Sequence, residues 1–188
     1  MVCRFGWLLL FGYWFHDAVY EAFDKGLVKG TSADHFSPVD NLTRGMFVTV
    51  LYRMENEPDA EGVTFDDVEN EAYYADAVRW ANANGVVLGV TDELFAPNIN
   101  ITREQISAII YRYAKFKGMD EFEREELTYN DAEDIEEYAV EAVEFCKAKG
   151  IMIGDKADNF KPKDNATRAE MAMVLVRLVD FFSENKAK

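Results

Sequence analysis

The sequence has few of the residues that build covalent cross-links or metal centres. Its 188 residues include two cysteines, Cys3 and Cys146, and two histidines, His16 and His35. Two cysteines cannot form a disulfide framework, and neither histidine lies near Cys146 in the sequence, as a Cys/His metal site would require. We therefore interpret Cys146 as a small core residue and predict neither a metal nor a cofactor.

Positive charge is also scarce. There are 20 basic and 35 acidic residues, which gives a formal net charge of −15. This balance argues against a broad nucleic-acid surface and against docking by bulk charge onto an anionic polymer or membrane. Hydrophobic residues make up 49% of the chain and aromatic residues 14%, enough for a packed interior. The length suits one ordinary domain or several small units that share a core.

Long apolar runs are missing, apart from a short one near the start. Residues 5–15 read FGWLLLFGYWF after Arg4, too short for a transmembrane helix, so we predict no membrane insertion. The run is similar to the apolar part of a signal peptide but lacks a small-x-small cleavage site. Three interpretations stay open: a start that is not native and partly replaces missing upstream sequence, an uncleaved or partial signal, or an ordinary folded segment.

What the sequence does contain is a threefold internal repeat, with copies offset by 59 and then 65 residues. Each copy carries the same landmarks without a gap: an aromatic residue, a glycine twelve positions later, a second glycine, a phenylalanine, a proline and a Thr-Arg pair. The aromatics are Trp14, Tyr73 and Tyr138, the first glycines Gly26, Gly85 and Gly150, and the second glycines Gly30, Gly89 and Gly154. The phenylalanines are Phe36, Phe95 and Phe160, the prolines Pro38, Pro97 and Pro162, and the pairs begin at Thr43, Thr102 and Thr167.

Each copy is predicted to be helix, loop, helix, which makes the chain mainly α-helical. The first helix runs from the aromatic residue to the first glycine, which suits a left-handed C-terminal position. Apolar residues recur at helical spacing, as in Ile106, Ile109, Ile110 and Tyr113 of the second helix of copy two. The loop between the helices has about 17 residues and is too long to lack anchors. We expect the three phenylalanines to anchor it in the core.

The three threonines are predicted N-caps of the second helices. Thr102 with Gln105, and Thr167 with Glu170, form capping boxes, whereas Thr43 has Met46 at the reciprocal position. We expect the helix after Thr43 to fray more readily.

The motif arginines occupy the first helical position, where a cation is unfavourable by about 0.3–1 kcal/mol. Because all three copies have an arginine at this unfavourable position, we expect the arginine to have a functional or structural role. Beside exposed N–H groups at a helix start, a guanidinium forms an anion site for a carboxylate or phosphate. The alternative is an internal ion pair with an acidic residue of a neighbouring copy, and the two can coexist. These arginines are Arg44, Arg103 and Arg168.

Several other positions have two open interpretations. Asp67 and Asp131 either cap a following helix or bond a ligand hydroxyl. The second glycines permit a turn or a close ligand approach, and the three aromatic residues belong to the core or rim or serve as sugar platforms. A second set of arginines is expected on helix surfaces, paired with acids. This set is Arg53, Arg112 and Arg177.

No catalytic constellation is present. The sequence has no nucleophile motif, no phosphate-binding glycine loop and no zinc spacing. The stretch 155–165 is rich in Asp and Asn but does not have calcium-loop spacing. We therefore predict a non-enzymatic protein.

These landmarks resemble the S-layer homology domain family of bacterial surface proteins, over about residues 13 to 182. The family's Thr-Arg-Ala-Glu motif is complete at 167–170, close at 102–105 (TREQ) and reduced to its first two residues at 43–46 (TRGM). Its Phe-x-Asp-Val opening is present at 65–68 and looser at 129–132 (YNDA). In copy one the corresponding positions hold the Gly6 to Leu9 region, so this copy lacks its opening.

The resemblance implies a pseudo-threefold domain in which the three motif helices form a central bundle with grooves between lobes. It implies an extracellular location and non-covalent anchoring to a peptidoglycan-linked secondary cell-wall polysaccharide, often through a pyruvylated amino sugar. The motif arginines would hold the pyruvyl carboxylate. The alternative function is a self-assembly or protein-interaction module without glycan binding.

The expected domain boundaries follow the repeats: 1–62, 63–126 and 127–188, folding together as one module. Such modules usually sit at one end of larger proteins, so we expect a cargo domain beyond this chain.

Overall fold

The computed structural model describes residues 12–32, 34–62, 64–119 and 124–185. Within them the chain forms six α-helices, no extended strands and three isolated β-bridges, which confirms the mainly α prediction. The helices are α1 His16–Asp24, α2 Arg44–Met54, α3 Ala75–Ala83, α4 Arg103–Phe116, α5 Val140–Ala148 and α6 Arg168–Asn185. Two short 3₁₀ turns, Ala132–Asp134 and Glu137–Ala139, precede α5.

The first helix of each copy ends as its glycine predicts. Helices α1, α3 and α5 each begin two residues after the aromatic landmark and end two residues before the first glycine. Gly26, Gly85 and Gly150 have φ values of 71°, 67° and 63°. This left-handed conformation is natural for glycine and ends the helix.

The second helix of each copy begins directly after its threonine. Thr102 and Gln105 form the complete capping box, and Thr167 and Glu170 exchange the same two bonds. Thr43 accepts from the N–H of Met46 and so caps α2 without a box. All three cap predictions are confirmed.

Helix packing crosses the repeat boundaries. The second helix of one copy packs against the first helix of the next: α2 contacts α3, and α4 contacts α5. Helix α6 of copy three packs against α1 of copy one. The chain accordingly divides into two compact units, one with residues up to Leu42 and from Ala166 onward, the other from Thr43 to Asn165.

The core of each unit contains the predicted anchors. Phe36, Phe95 and Phe160 are 0–3% exposed. The apolar stripe of α4 is buried. The same helical spacing on α6 (Met171, Val174, Leu175 and Leu178) is also buried, and on α2 Phe47, Val50 and Leu51 are buried while Met54 is half-buried. Cys146 is fully buried on α5, which confirms its interpretation as a core residue.

The apolar start, the Gly6 to Leu9 region and Cys3 lie outside the described residues. Among the helices described, none combines the length and the apolar content needed to cross a bilayer.

Candidate functional site

Each motif arginine binds the loop of the next copy through backbone carbonyl oxygens. Arg44 donates from Nε to the carbonyl of Phe95 at 2.9 Å and from a terminal nitrogen to that of Leu88 at 3.2 Å. Arg103 makes the same pair of bonds to Phe160 and Ile153, at 2.8 and 2.9 Å. Arg168 makes them to Phe36 and Lys29 of copy one, at 2.9 and 2.8 Å. We call each such set of contacts an arginine clamp.

The guanidinium of each clamp also lies over the phenyl ring of the same phenylalanine. The distances from the guanidinium carbon to the ring centre are 4.7, 5.0 and 4.7 Å for Arg44, Arg103 and Arg168. Cation–π contact of this kind favours the charged form beside an aromatic face. Arg44 and Arg168 are only 6% and 7% exposed. The described contacts therefore give the motif arginines a structural role, made through backbone carbonyls of the next loop.

The exposed N–H groups that we expected at the helix starts are occupied. In α4 the N–H of Arg103 donates to Asp164 O and that of Glu104 to Pro162 O, both at 3.1 Å. The first two N–H groups of α2 and α6 bond the corresponding loop carbonyls. Because these donors already have partners, an anion at this surface must be held by side chains.

The two aspartates of the opening segments also hold the loop. Asp67 accepts from the N–H groups of Phe95 and Ala96 at 2.8 and 2.6 Å. Asp131 accepts from Phe160 and Lys161 in the same way, both at 2.7 Å. The helix-capping interpretation is wrong for Asp131, whose side chain makes no cap bond to the 3₁₀ turn after it. For Asp67, both carboxylate oxygens bond the distant loop instead.

The residue after each anchored phenylalanine has an unusual backbone conformation, including Ser37 of copy one, with a φ of 54°, where no aspartate holds the loop among the described residues. Ala96 and Lys161, which follow the anchored phenylalanines and precede a proline, have φ values of 61° and 59°. Non-glycine residues rarely adopt this left-handed region, at a cost of about 1–2 kcal/mol. The aspartate and the arginine clamp together fix the peptide units on both sides of the phenylalanine.

The second glycines leave room for their own loop. A Cβ at Gly89 would lie 2.7 Å from both the Leu94 carbonyl oxygen and the ring of Phe65, and one at Gly154 would lie 2.6 Å from the ring of Tyr129. These contacts support the interpretation that the glycines permit a turn of their own loop, and close approach of a ligand stays a prediction. Gly30 lies in the loop after α1.

A groove of about 390 Å³ brings residues of all three copies together within the unit 43–165. Its polar side chains are Arg44 at the start of α2, Gln105 and Arg112 on α4, and Tyr138 before α5. Apolar side chains and Gly89 complete the lining, notably Leu88 and Val90, which are about half exposed. Among the described residues, no aspartate or glutamate lines it. Three predicted site residues, Arg44, Gly89 and Tyr138, thus meet in one place.

The electrostatics of this groove suit an anion. Burial lowers the pKa of the Arg44 guanidinium, and repulsion from Arg112 contributes. Burial also lowers the pKa of Arg112. Arginine nevertheless stays protonated in proteins, so two positive charges share a partly desolvated groove.

A buried carboxylate, Glu104, lies near Tyr138 and has partners of its own. Glu104 is 4% exposed and accepts from Lys163 Nζ at 2.8 Å and from the N–H of Glu136 at 3.2 Å. Burial raises the pKa of Tyr138 to about 12, and the negative charge of Glu104 contributes. The phenol is therefore neutral at physiological pH, while Tyr138 stays 52% exposed.

The remaining predicted site residues lie elsewhere. Trp14 and Tyr73 are 64% and 61% exposed and stack edge-on against Phe15 and Tyr74. All three aromatic landmarks lie at the surface, which agrees with a rim position and not with the core, and their role as sugar platforms stays a prediction. The hydroxyls of Thr43 and Thr102 are engaged as helix caps.

Arg112 lies in the groove and not in the predicted surface ion pair. We expected it on a helix surface paired with an acid, but it lines the groove and no described residue pairs with it. A signal was available: Gln105, Ala108, Ile109 and Arg112 follow the i, i+3, i+4, i+7 spacing of one helix face. Within the described ranges, no three His, Cys, Asp or Glu side chains are grouped so that they could hold a metal ion.

Comparison with known proteins gives consistent results. The family model described as "S-layer homology domain" matches residues 12–45, 64–106 and 128–172. An endoglucanase of Bacillus sp. (strain KSM-635) is 34% identical over 88% of this chain and 18% of its own length. The surface-layer 125 kDa protein of Lysinibacillus sphaericus is 29% identical over 87% of this chain and 14% of its own. A cellulosome-anchoring protein of Acetivibrio thermocellus is 26% identical over 81% and 35%.

The chain thus spans less than a fifth of the endoglucanase and of the surface-layer protein. The three matched segments contain the three Thr-Arg pairs, the anchored phenylalanines and the two aspartates described above. The chain therefore belongs to the S-layer homology domain family.

Proposed function

We propose that this chain is a non-catalytic module that anchors a bacterial surface protein to the cell wall. Domains of its family anchor surface proteins in this way, and one relative is named a cellulosome-anchoring protein and another a surface-layer protein. The proposed partner is a secondary cell-wall polysaccharide that carries a negative group, such as a pyruvylated amino sugar. The proposed location is the cell wall or surface layer.

The observation that supports a glycan ligand is the composition of the groove. It combines two arginines with an exposed tyrosine ring and no lining carboxylate among the described residues. Aromatic rings bury the apolar faces of ligands, and guanidinium groups bind carboxylates with directional, charge-assisted bonds. An anionic sugar presents both surfaces at once.

Retention by purified sacculi tests this function. We expect the chain to bind intact sacculi and not sacculi stripped of their secondary polymer. Tyr138→Ala should weaken retention roughly fivefold because it removes the exposed ring from the groove. Ile99→Ala is the control, since Ile99 is 60% exposed and lies outside the groove lining. Equal retention by stripped sacculi would contradict the proposal.

A self-assembly or protein-interaction module is the second candidate, favoured by the structural role of the arginine clamps. In that case Arg103 or Arg168 variants lose stability, and wall binding falls only as far as the folded fraction does. Because loss of a clamp is expected to destabilise the fold under either function, thermal melts supply the folded fraction of each variant, and sacculus retention corrected for that fraction separates the two functions. For this reason the binding test relies on Tyr138 and not on a clamp arginine.

A further inference from the structure

The two arginines of the groove do not have the same freedom to bind a ligand. Arg44 uses Nε and one terminal nitrogen on the carbonyls of Phe95 and Leu88, so its orientation is set by the loop. A guanidinium has five N–H donors, which leaves Arg44 three. Arg112 lines the same groove and has no hydrogen-bond or ion-pair partner in the part of the chain that the structure describes, so within that part its five donors remain available to a ligand.

Gln105 is neutral, whereas the corresponding residue of copy three, Glu170, is negatively charged. It is the fourth residue of its Thr-Arg motif, where copy three has Glu170. Gln105 accepts from the Thr102 N–H at 3.3 Å, and Glu170 accepts from the Thr167 N–H at 2.7 Å. Both side chains complete the capping box, so the cap does not require glutamine. What glutamine changes is the charge of a residue that lines the groove.

Resting on the proposed function, we propose that Arg112 and Gln105 determine the charge specificity of this groove. Arg112 supplies the free guanidinium that binds the ligand's carboxylate beside Arg44. Gln105 caps α4 without placing a carboxylate next to that anion. Gln105 and Arg112 lie seven residues apart on one face of α4, so the helix presents a neutral amide and a cation to the same ligand.

The test compares three variants that each change the net charge by −1: Arg112→Gln, Gln105→Glu and the control Lys115→Gln. Lys115 is exposed on α4 and lies over the Tyr111 ring, outside the groove lining. Any long-range effect of net charge is therefore common to all three. Arg112→Lys is added because it keeps the charge and loses the planar fork.

Binding is measured by calorimetry with a methyl glycoside of an N-acetylated amino sugar that carries a pyruvate ketal, and with the methyl ester of the same compound, which is uncharged. Arg112→Gln should weaken binding of the charged glycoside about 10- to 100-fold, the usual effect of losing a charge-assisted hydrogen bond. Gln105→Glu should weaken it more than tenfold through repulsion. Lys115→Gln should leave the affinity for the charged glycoside unchanged. Arg112→Lys should have an affinity between those of wild type and Arg112→Gln. The ester should bind wild type and every variant with similar affinity. Retention of the same variants by intact sacculi is the second readout.

The outcomes separate this inference from the proposed function. If wild type binds neither sacculi nor the glycoside, the proposed function is wrong and this inference falls with it. If wild type binds sacculi while Arg112→Gln and Gln105→Glu bind as tightly as Lys115→Gln, only this inference is overturned. Equal wild-type affinity for the charged glycoside and its ester also overturns it. If wild type binds sacculi but not the glycoside, retention by sacculi tests the inference: weaker retention of Arg112→Gln and Gln105→Glu than of Lys115→Gln supports it, and equal retention overturns it.

Discussion

At the scale of single residues, the motif arginines show how an unfavourable local choice is offset by tertiary contacts. A cation at a helix start costs about 0.3–1 kcal/mol. Each arginine instead donates two hydrogen bonds to carbonyls of the next loop and lies over its phenylalanine ring. Charge-assisted hydrogen bonds contribute about 1.5–3 kcal/mol each, which exceeds the cost at the helix start.

Removing one clamp should therefore destabilise the fold measurably. Arg103→Met leaves the Phe160 and Ile153 carbonyls without these donors, and we expect the free energy of unfolding to fall by about 2–4 kcal/mol. Arg103→Lys should recover less than half of the loss, because an ammonium group cannot reach both carbonyls in the planar geometry. Urea unfolding measures both, with Lys115→Met as the control. A loss below about 0.5 kcal/mol for Arg103→Met would contradict the clamp's structural role.

The buried cysteine gives a second prediction. Burial raises the pKa of the Cys146 thiol to about 12, so the native thiol stays protonated and shielded at pH 8. In a Cys3→Ser background, a thiol reagent should modify Cys146 only as fast as the protein unfolds, and rapidly in 8 M urea. Rapid modification of the native protein would show that this part of α5 is accessible.

At the scale of elements, the three motif helices have the same start but different caps. Helices α4 and α6 have complete boxes, whereas α2 has Thr43 without a reciprocal side chain. The N–H of Thr43 therefore lacks the bond that Gln105 or Glu170 provides in the other copies. The expected easier fraying of α2 follows from this difference and stays a prediction.

Completing the box of copy one should stabilise it. Met46→Glu adds an acceptor for the Thr43 N–H and a negative charge near the helix start, and we expect a gain of about 0.5–1 kcal/mol. Met46→Gln is the matched control because it supplies the acceptor without the charge. Amide hydrogen exchange at 46–48 should slow in both variants. An unchanged exchange rate would show that the missing box does not limit the stability of this end.

A loop in copy three supplies a pH-dependent element. Asp155 accepts from Lys161 and from the N–H groups of Asn159 and Ala157, and these bonds lower its pKa to about 2, from an ordinary value of 3.8. Because the folded pKa is the lower one, the contribution to stability is present above about pH 4 and is lost as the pH falls through 2.

Asp155→Asn should accordingly be less stable than wild type at pH 6, and the difference should shrink between pH 4 and pH 2. Urea unfolding at several pH values measures it, with Asp158→Asn in the same loop as the control. A difference that stays constant down to pH 2 would contradict the assignment of this carboxylate.

At the scale of the whole molecule, the repeat in the sequence and the unit of packing differ. Helix α3 of copy two packs on α2 of copy one, and α4 packs on α5 of copy three. A single repeat therefore leaves its apolar helix faces without partners. The domain boundaries at 62/63 and 126/127, the folding of all three copies as one module and their pseudo-threefold arrangement stay predictions.

Fragments of the chain distinguish these units. Residues 43–165 keep both helix pairs, α2 with α3 and α4 with α5, and should unfold cooperatively. Residues 63–126 contain α3 and α4 without their partners and should be largely unfolded. Circular dichroism and thermal melts measure both. Cooperative melting of 63–126 would show that one repeat suffices for folding.

The net charge of −15 does not prevent the protein from binding an anionic ligand. Physiological salt screens exposed charges beyond about 8 Å, so the acidic surface does not decide binding inside a groove. The groove of the unit 43–165 holds two arginines and, among the described residues, no lining carboxylate. An acidic protein can therefore offer a discrete site for an anion.

The sequence by itself determined the helices, their caps, the left-handed glycines and the anchoring phenylalanines. These features depend on side chains a few positions apart, and helical geometry relates such positions directly. The family was visible for the same reason, because its landmarks keep fixed spacing along the chain.

Only the tertiary structure decided which groups meet across the repeats. Arg44 and Phe95 are 51 residues apart, and no local rule selects a carbonyl over a carboxylate as the partner of an arginine. The role of Arg112 was likewise undecided, since its helical spacing fits both a solvent-facing ion pair and a groove. Packing of α4 against α5 and the loop after α3 resolved it, because the neighbours that surround a side chain come from distant parts of the chain.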